Sequence, residues 1–149
     1  MKCPRDGSEL TTEDYVGVEV DRCPACNGRW LDHDELDDVE ATVTPDEDQR
    51  RATIEYAKRP SELRCPVCAK QMLTFNYRAY NLALDTCEDG HGFWLDAGEE
   101  AGVRDIMRER VRGLARAASA QTTWDRLAHN RGRRSLWDQI SRLFRGGGR

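Results

Sequence analysis

The sequence predicts a small α+β protein that depends on bound metal for its stability. Three observations predict this class. Its 149 residues include six cysteines, and only 7% are aromatic, so a single large apolar core is not expected. The cysteines fall into two groups, and the sequence around them repeats at a spacing of about 62 to 64 residues. Segments of alternating apolar and polar residues between the cysteines predict short antiparallel strands.

The repeat defines two modules, residues 1–40 and 64–101. Residues 23–36 (CPACNGRWLDHDEL) correspond to residues 87–100 (CEDGHGFWLDAGEE). In the same way CPRD, which begins at Cys3, corresponds to CPVC in the second module. The two matches lie at both ends of each module, so two copies of one fold are expected.

Strands followed by a helix are expected in each module. Residues 15–21 place three valines on one face of a strand, and residues 75–84 predict a longer and less regular strand pair. Asp32 and Asp96 are each followed three residues later by a glutamate, which is the spacing of a capping box. A helix is therefore expected at the end of each module.

The segment between the modules, residues 41–63, predicts a charged helical linker. Thr44 suits the N-cap, Pro45 the first helical position, and Glu47 closes a capping box, while Pro60 ends the helix. With few apolar residues to bury, this helix is expected to be a spacer more than a recognition element. The pattern leaves open whether the two modules pack together or move independently.

The cysteines of the second module predict a structural zinc site. Cys65, Cys68, Cys87 and His91 form a complete set of four ligands. A chain of about 40 residues cannot bury enough surface to fold unaided, and zinc supplies on the order of 10 kcal/mol. The alternative is that His91 is only a turn residue beside a three-coordinate site. A redox role for the Cys-x2-Cys pairs is disfavoured, because turns flank them where a redox motif needs a strand-to-helix crossover.

The first module offers Cys3, Cys23 and Cys26, with Asp6 where a fourth cysteine would stand. A carboxylate oxygen can bind zinc at roughly 2.0 to 2.2 Å, so Asp6 is the favoured fourth ligand. The other candidates are a water molecule and His33, which has no counterpart in the second module.

These residues resemble the transcription-factor zinc-finger family of the zf-TFIIB type. The resemblance is carried by Cys-Pro-x-Cys/Asp-Gly, the valine strand and CPACNGRWLDHDEL, and less closely by residues 64–101. Members of this family resemble the amino-terminal zinc ribbon of transcription factor IIB. The resemblance implies metal ligands at Cys3, Cys23, Cys26, Cys65, Cys68 and Cys87. The chain departs from the family at Asp6 and at Gly90, which stands where a cysteine would be, one residue before His91. Ribbons bind nucleic acid, dock proteins or serve as structural inserts, so the resemblance defines no activity.

Charge is distributed unevenly along the chain. The net charge is -4, but residues 101–149 carry 12 arginines, no lysine and 4 acids, a net of +8. Residues 1–100 carry 11 bases and 23 acids, a net of -12. A basic segment of this kind is typical of contact with a polyanion or an acidic partner. No apolar run approaches the roughly 20 residues of a membrane span, and residues 1–7 lack the apolar core of a secretion signal. A cytoplasmic location is therefore expected.

Residues 102–149 predict a basic helical tail. Arginines recur at every fourth position beside an apolar stripe, at Arg104, Arg108, Arg112 and Arg116. This stripe is either a solvated face or a contact surface for a polyanion. Residues 131–134 predict a break, and Ser135 caps a second amphipathic helix over residues 136–145. That helix can dock on the body, enter a groove of a partner, or lie on an anionic membrane surface.

We therefore expect a non-catalytic zinc-binding adaptor that contacts nucleic acid or a nucleoprotein complex, such as the transcription or translation apparatus. The expected contact residues are Arg104, Arg108, Arg112, Arg116, Arg131, Arg133, Arg134 and Trp137. Trp30 and Trp94 are expected to pack over the metal sites. The alternative is a protein-protein or peripheral-membrane adaptor that uses the C-terminal amphipathic helix. Catalysis is disfavoured because thiolate-rich zinc is a poor Lewis acid and no motif places a general base.

Overall fold

The structure is a computed structural model that describes residues 1–51 and 54–144, with side chains as far as Ala128. It divides into two compact units, Met1–Val111 and Arg112–Arg149. The elements are β1 (Thr11–Tyr15), β2 (Val18–Arg22), β3 (Arg29–Leu31), α1 (His33–Ala41), α2 (Glu47–Arg50), β4 (Glu55–Arg64), β5 (Gln71–Tyr77), β6 (Ala83–Thr86), β7 (Phe93–Leu95) and α3 (Glu99–Phe144). No helix in the described part of the chain has an apolar stretch long enough to cross a membrane.

All seven strands form one antiparallel sheet in the order β1-β2-β3-β7-β6-β5-β4. The two predicted modules contribute one half each, and β3 and β7 join the halves, with Trp30 paired directly opposite Trp94. Because equivalent strands meet antiparallel, the halves are related by approximate two-fold symmetry. The modules therefore pack together in a single unit and do not move independently.

Each face of the sheet is covered by a different kind of structure. Leu31 and Phe93 belong to an apolar core that also contains side chains of α1 and α3, including Val39 and Val103. Neighbouring strand residues point the other way, because side chains alternate along a strand. On that opposite face the two tryptophans are buried together with cysteines of both groups.

The prediction of a linker helix is wrong beyond Arg50. Helix α2 spans four residues, and its N-cap is Asp46, where the sequence predicted Thr44. Residues 55–59 of the predicted helix instead belong to the edge strand β4, which pairs with β5. Pro60 is tolerated there because an edge strand leaves part of its backbone without a ladder partner. Pairing with β5 overrides the local helix signals.

The predicted helix start after the first module is confirmed. Asp32 and Glu35 form a complete capping box at the start of α1. After the second module only half of the box exists. Glu99 accepts a hydrogen bond from the Asp96 N–H at 2.7 Å, but the Asp96 carboxylate is bound by Arg5 and by Nε1 of Trp94. Helix α3 consequently begins at Glu99, later than the predicted cap implies.

The predicted break at residues 131–134 is wrong, because α3 is continuous to Phe144. A glycine inside a helix costs only about 1 kcal/mol, which the flanking helix-forming residues outweigh. Val103 and Met107 are fully buried, as their helical spacing predicts, whereas Leu114 is 42% exposed. The side chains of Arg131, Arg133, Arg134 and Trp137 lie outside the described part of the chain.

Candidate metal centres

The second cluster contains the four predicted ligands of the second module. Cys65 and Cys68 lie on the turn between β4 and β5, and Cys87 and His91 on the turn between β6 and β7. The Sγ atoms of Cys68 and Cys87 are 3.7 Å apart, and Nδ1 of His91 lies 3.4 Å from Cys87 Sγ and 3.8 Å from Cys65 Sγ. A tetrahedral zinc holds sulfur at about 2.3 Å, which places two sulfurs about 3.8 Å apart. These spacings fit a four-coordinate metal ion.

The first cluster has the same arrangement. Cys3 and Asp6 precede β1, and Cys23 and Cys26 lie on the turn between β2 and β3. The Sγ atoms of Cys3 and Cys26 are 3.7 Å apart, and an Asp6 carboxylate oxygen lies 3.4 Å from Cys23 Sγ. In each cluster the four candidate ligand atoms lie within 4.8 Å of one another. Among the described residues, this cluster contains Asp6 and not His33, whose ring instead makes an edge contact with Phe93.

Backbone amides point at the sulfurs of the cysteine turns. The N–H groups of Arg5, Cys26 and Val67 each donate to a cysteine Sγ at 3.4 Å. The accepting sulfurs belong to the first cysteine of each turn, Cys3, Cys23 and Cys65. Hydrogen bonds of this kind stabilise a thiolate and orient it toward a cation.

The surroundings shift the pKa values of the candidate ligands in different directions. Burial raises the pKa of Cys3 to about 12 and that of Cys65 to about 11, so both hold their protons at neutral pH without a cation nearby. Hydrogen bonds from the hydroxyl and backbone N–H of Ser8 lower the pKa of Asp6 to about 2, so this carboxylate stays ionised. A metal ion that enters either cluster therefore replaces thiol protons, and its affinity rises with pH.

Both tryptophans pack against the clusters, as the sequence predicts. Trp30 is 3% exposed and Trp94 is fully buried, within one apolar cluster that also contains Cys23 and Cys87. Neither ring is accessible for stacking on a base.

The arginines of α3 differ in their surroundings. Arg104 is partly buried, and Arg108 pairs with Asp105 at 2.7 Å, whereas Arg112 and Arg116 are exposed. Of the four arginines predicted to form one stripe, the last two are therefore the most accessible. Trp124, further along α3, is 65% exposed.

Sequence reasoning missed the contacts that join the two halves of the sheet. Arg5, within the first cysteine turn, binds the carboxylate of Asp96 at the end of the second module. Arg78, just after β5, and Glu40 on α1 form a buried ion pair at 2.7 Å. The repeat did contain one indication of these contacts. Gly28 and Gly92 occupy matching positions in the two modules, and both contact the opposite half of the sheet.

The fold and the two clusters define a small α+β protein with two cysteine-rich sites that can bind metal. Residues 2–42 match the family model described as transcription factor zinc-finger. The match is to a zinc-ribbon model, covers the first cluster and α1, and does not extend to the second cluster. No curated protein and no solved structure matches the chain.

Loss of the Asp6 carboxylate should weaken metal binding at the first cluster. Loss of an outer partner of a ligand already costs metal affinity about 10- to 100-fold, so Asp6→Ala should cost about 100-fold or more. Asp6→Cys should bind zinc more tightly than the native chain, because zinc prefers a thiolate to a carboxylate. Competition against a chromophoric chelator measures both changes.

The control for this prediction is Asp38→Ala, which removes an exposed acid of α1 outside both clusters. Its zinc affinities should equal those of the native chain. Unchanged affinity in Asp6→Ala would instead show that water or another group fills the fourth position.

Proposed function

We propose that the protein is a non-catalytic zinc-binding adaptor with two ribbons, and that its arginine-rich helix contacts nucleic acid or a nucleoprotein complex. Zinc is the metal that three thiolates and one nitrogen or oxygen donor favour in a tetrahedral arrangement. Each cluster supplies four protein donors, and a catalytic zinc needs an open position. All six cysteines are unpaired, which agrees with a cytoplasmic location, where thiols stay reduced.

Matching strand contacts support a second ribbon at residues 64–101. In the first half of the sheet Thr12 donates to Asp21 at 3.2 Å, and in the second half Thr74 donates to Asp85 at 2.6 Å. The two aspartates occupy equivalent positions, because Asp21 pairs with Trp30 and Asp85 with Trp94. The same side chains thus recur at the same ladder positions in both halves.

The observation that carries the nucleic-acid proposal is the separation of charge between the two units. Residues 112–149 hold nine arginines and two acids, a net of +7, whereas residues 1–111 hold 14 bases and 25 acids, a net of -11. Guanidinium groups bind phosphate in a bidentate manner, so a segment that carries arginine and no lysine suits contact with a phosphate backbone. Exposed Trp124 adds a ring that can stack on an unpaired base.

Fluorescence anisotropy of labelled RNA and DNA with the zinc-loaded full chain tests this proposal. We expect binding that weakens steeply with salt. In the variant Arg112→Gln, Arg116→Gln, Arg126→Gln, the slope of log K against log salt should fall by about 2 to 3. The matched control removes three cations from the acidic unit, at Arg51, Lys58 and Arg59, and should retain nearly native affinity.

Absence of binding to either polymer at low salt would overturn the nucleic-acid proposal. That result would favour the alternative, a protein-protein or peripheral-membrane adaptor that uses residues 136–145, which sedimentation with anionic vesicles then tests.

A further inference from the structure

Each tryptophan at the centre of the sheet packs on a glycine of the opposite ribbon. A Cβ atom added to Gly28 would lie 2.3 Å from Cζ2 of Trp94. On the other side, a Cβ added to Gly92 would lie 3.0 Å from Cζ2 of Trp30 and 2.3 Å from the carbonyl oxygen of Leu31. The tryptophans can pack this closely only because both positions lack side chains.

Both glycines also close a metal-binding turn. The Gly28 carbonyl accepts a hydrogen bond from the Cys23 N–H at 2.8 Å, and the Gly92 carbonyl accepts one from the Cys87 N–H at 3.1 Å. Cys23 and Cys87 are candidate ligands of the first and second cluster. A tryptophan of one ribbon therefore contacts the residue that closes a cysteine turn of the other ribbon.

A second set of contacts links the first cluster to the second ribbon. Arg5 lies between the candidate ligands Cys3 and Asp6, and its guanidinium makes a two-pronged ion pair with Asp96. Asp96 also accepts a hydrogen bond from Nε1 of Trp94 at 3.0 Å. Arg5, in one turn of the first cluster, is thus connected through Asp96 to Trp94. Trp94 in turn packs on Gly28, which closes the other turn of the same cluster.

We propose that the two metal sites are coupled, so that a metal ion in one site raises the affinity of the other. This inference rests on the proposed zinc-binding function. Metal orders a cysteine turn that is otherwise free to change conformation, and the ordered turn fixes the opposing tryptophan. The second metal ion then binds a site that is already partly ordered, so its binding loses less conformational entropy. The coupling is reciprocal, because linkage requires the same factor in both directions.

Native mass spectrometry of the full chain at half-saturating zinc measures the populations with zero, one and two metal ions. Independent sites give one half or more of the one-metal species, because unequal affinities only increase that fraction. Tenfold coupling of equal sites lowers the one-metal fraction to about one quarter. The two clusters have different ligands, so the reference is the one-metal fraction for independent sites. It follows from the affinity of each site measured with the other site disabled, by Cys23→Ser or Cys87→Ser. We expect the native fraction to lie well below that value. Tryptophan fluorescence should follow the two-metal species and not total bound zinc.

Arg5→Gln should raise the one-metal fraction toward the value for independent sites, because it removes the ion pair with Asp96. The matched control is Arg22→Gln, since Arg22 binds Glu13 and Asn27 within the first ribbon alone. In this control the one-metal fraction should lie as far below its own independent-site value as it does in the native chain.

Two results would overturn the inference, and they are distinguishable. If the chain binds two zinc ions with a one-metal fraction at or above the value for independent sites, the sites are not positively coupled while the zinc-binding function stands. If the chain binds no zinc, the proposed function fails together with the coupling.

Discussion

Removal of metal should unfold the unit Met1–Val111. A structural zinc contributes about 10 kcal/mol or more of binding energy to folding, whereas domains of this size have net stabilities of about 5 to 15 kcal/mol. One face of the sheet is covered largely by the cysteine turns, and without metal its thiols are buried with no cation among them. Thermal melts by far-UV circular dichroism, before and after chelation, measure the effect.

The chelated chain should show no cooperative melting of its strands, and added zinc should restore it while added magnesium should not. Among single substitutions, Cys87→Ser should reproduce the effect of chelation. The matched control is Met72→Leu, because Met72 is fully buried in the same cluster and this swap preserves volume, at a cost below about 1.5 kcal/mol. Melting within a few degrees of the native temperature after chelation would show that apolar packing alone supports the sheet.

The parts of this structure that depend on local spacing were predictable from the sequence. Two cysteines separated by two residues face one point, so the pairs Cys23/Cys26 and Cys65/Cys68 follow directly from the motifs. The fourth member of each cluster was less certain, because Asp6 had His33 and water as rivals. The capping box of Asp32 and Glu35 likewise involves only neighbouring residues. Burial of Val103 and Met107 follows from helical periodicity.

The parts that depend on distant partners were not predictable. The capping signals of residues 44–50 predict a helix that continues past residue 51. Residues 55–64 instead form β4 because they pair with β5, which begins seven residues after β4 ends. The three-residue strands β3 and β7 are too short to show a pattern, although they join the two ribbons. Asp96 was expected to cap a helix, but Arg5, 91 residues away in the sequence, binds its carboxylate instead.

The pairing of β3 with β7 joins the two halves of the sheet in one unit. The first half alone would leave β3 as a sheet edge, with one side of its backbone unpaired and Trp30 without the glycine turn on which it packs. Exposed edges and aromatic residues promote association of chains. The second half of the sheet covers this edge within the same chain.

Breaking the buried ion pair between Glu40 and Arg78 should be the most damaging change outside the metal clusters. The two charged groups are 4% and 1% exposed and 2.7 Å apart. Burial, followed by the charge of Glu40, raises the pKa of Tyr77, so its hydroxyl stays protonated and donates to Glu40. Arg78→Met leaves the carboxylate buried without its cation, which should cost about 3 to 5 kcal/mol. Urea unfolding of the zinc-loaded protein measures this loss.

The double variant Glu40→Leu, Arg78→Met tests whether the loss of stability comes from one unpaired buried charge or from the absence of the ion pair itself. Replacing both members of a buried pair by apolar residues is often neutral, so the double variant should be more stable than Arg78→Met alone. Arg51→Ala is the matched control, because its pair with Glu47 is exposed and contributes about 1 kcal/mol or less. Glu40 lies on α1 in the first half of the protein, and Arg78 follows β5 in the second half. If the double variant keeps its stability but loses zinc at one cluster, the pair sets the relative position of the two halves. A loss below about 1 kcal/mol in Arg78→Met would mean that water or a neighbouring group compensates Glu40. The β3–β7 pairing and the other contacts across the sheet would then suffice to join the two halves.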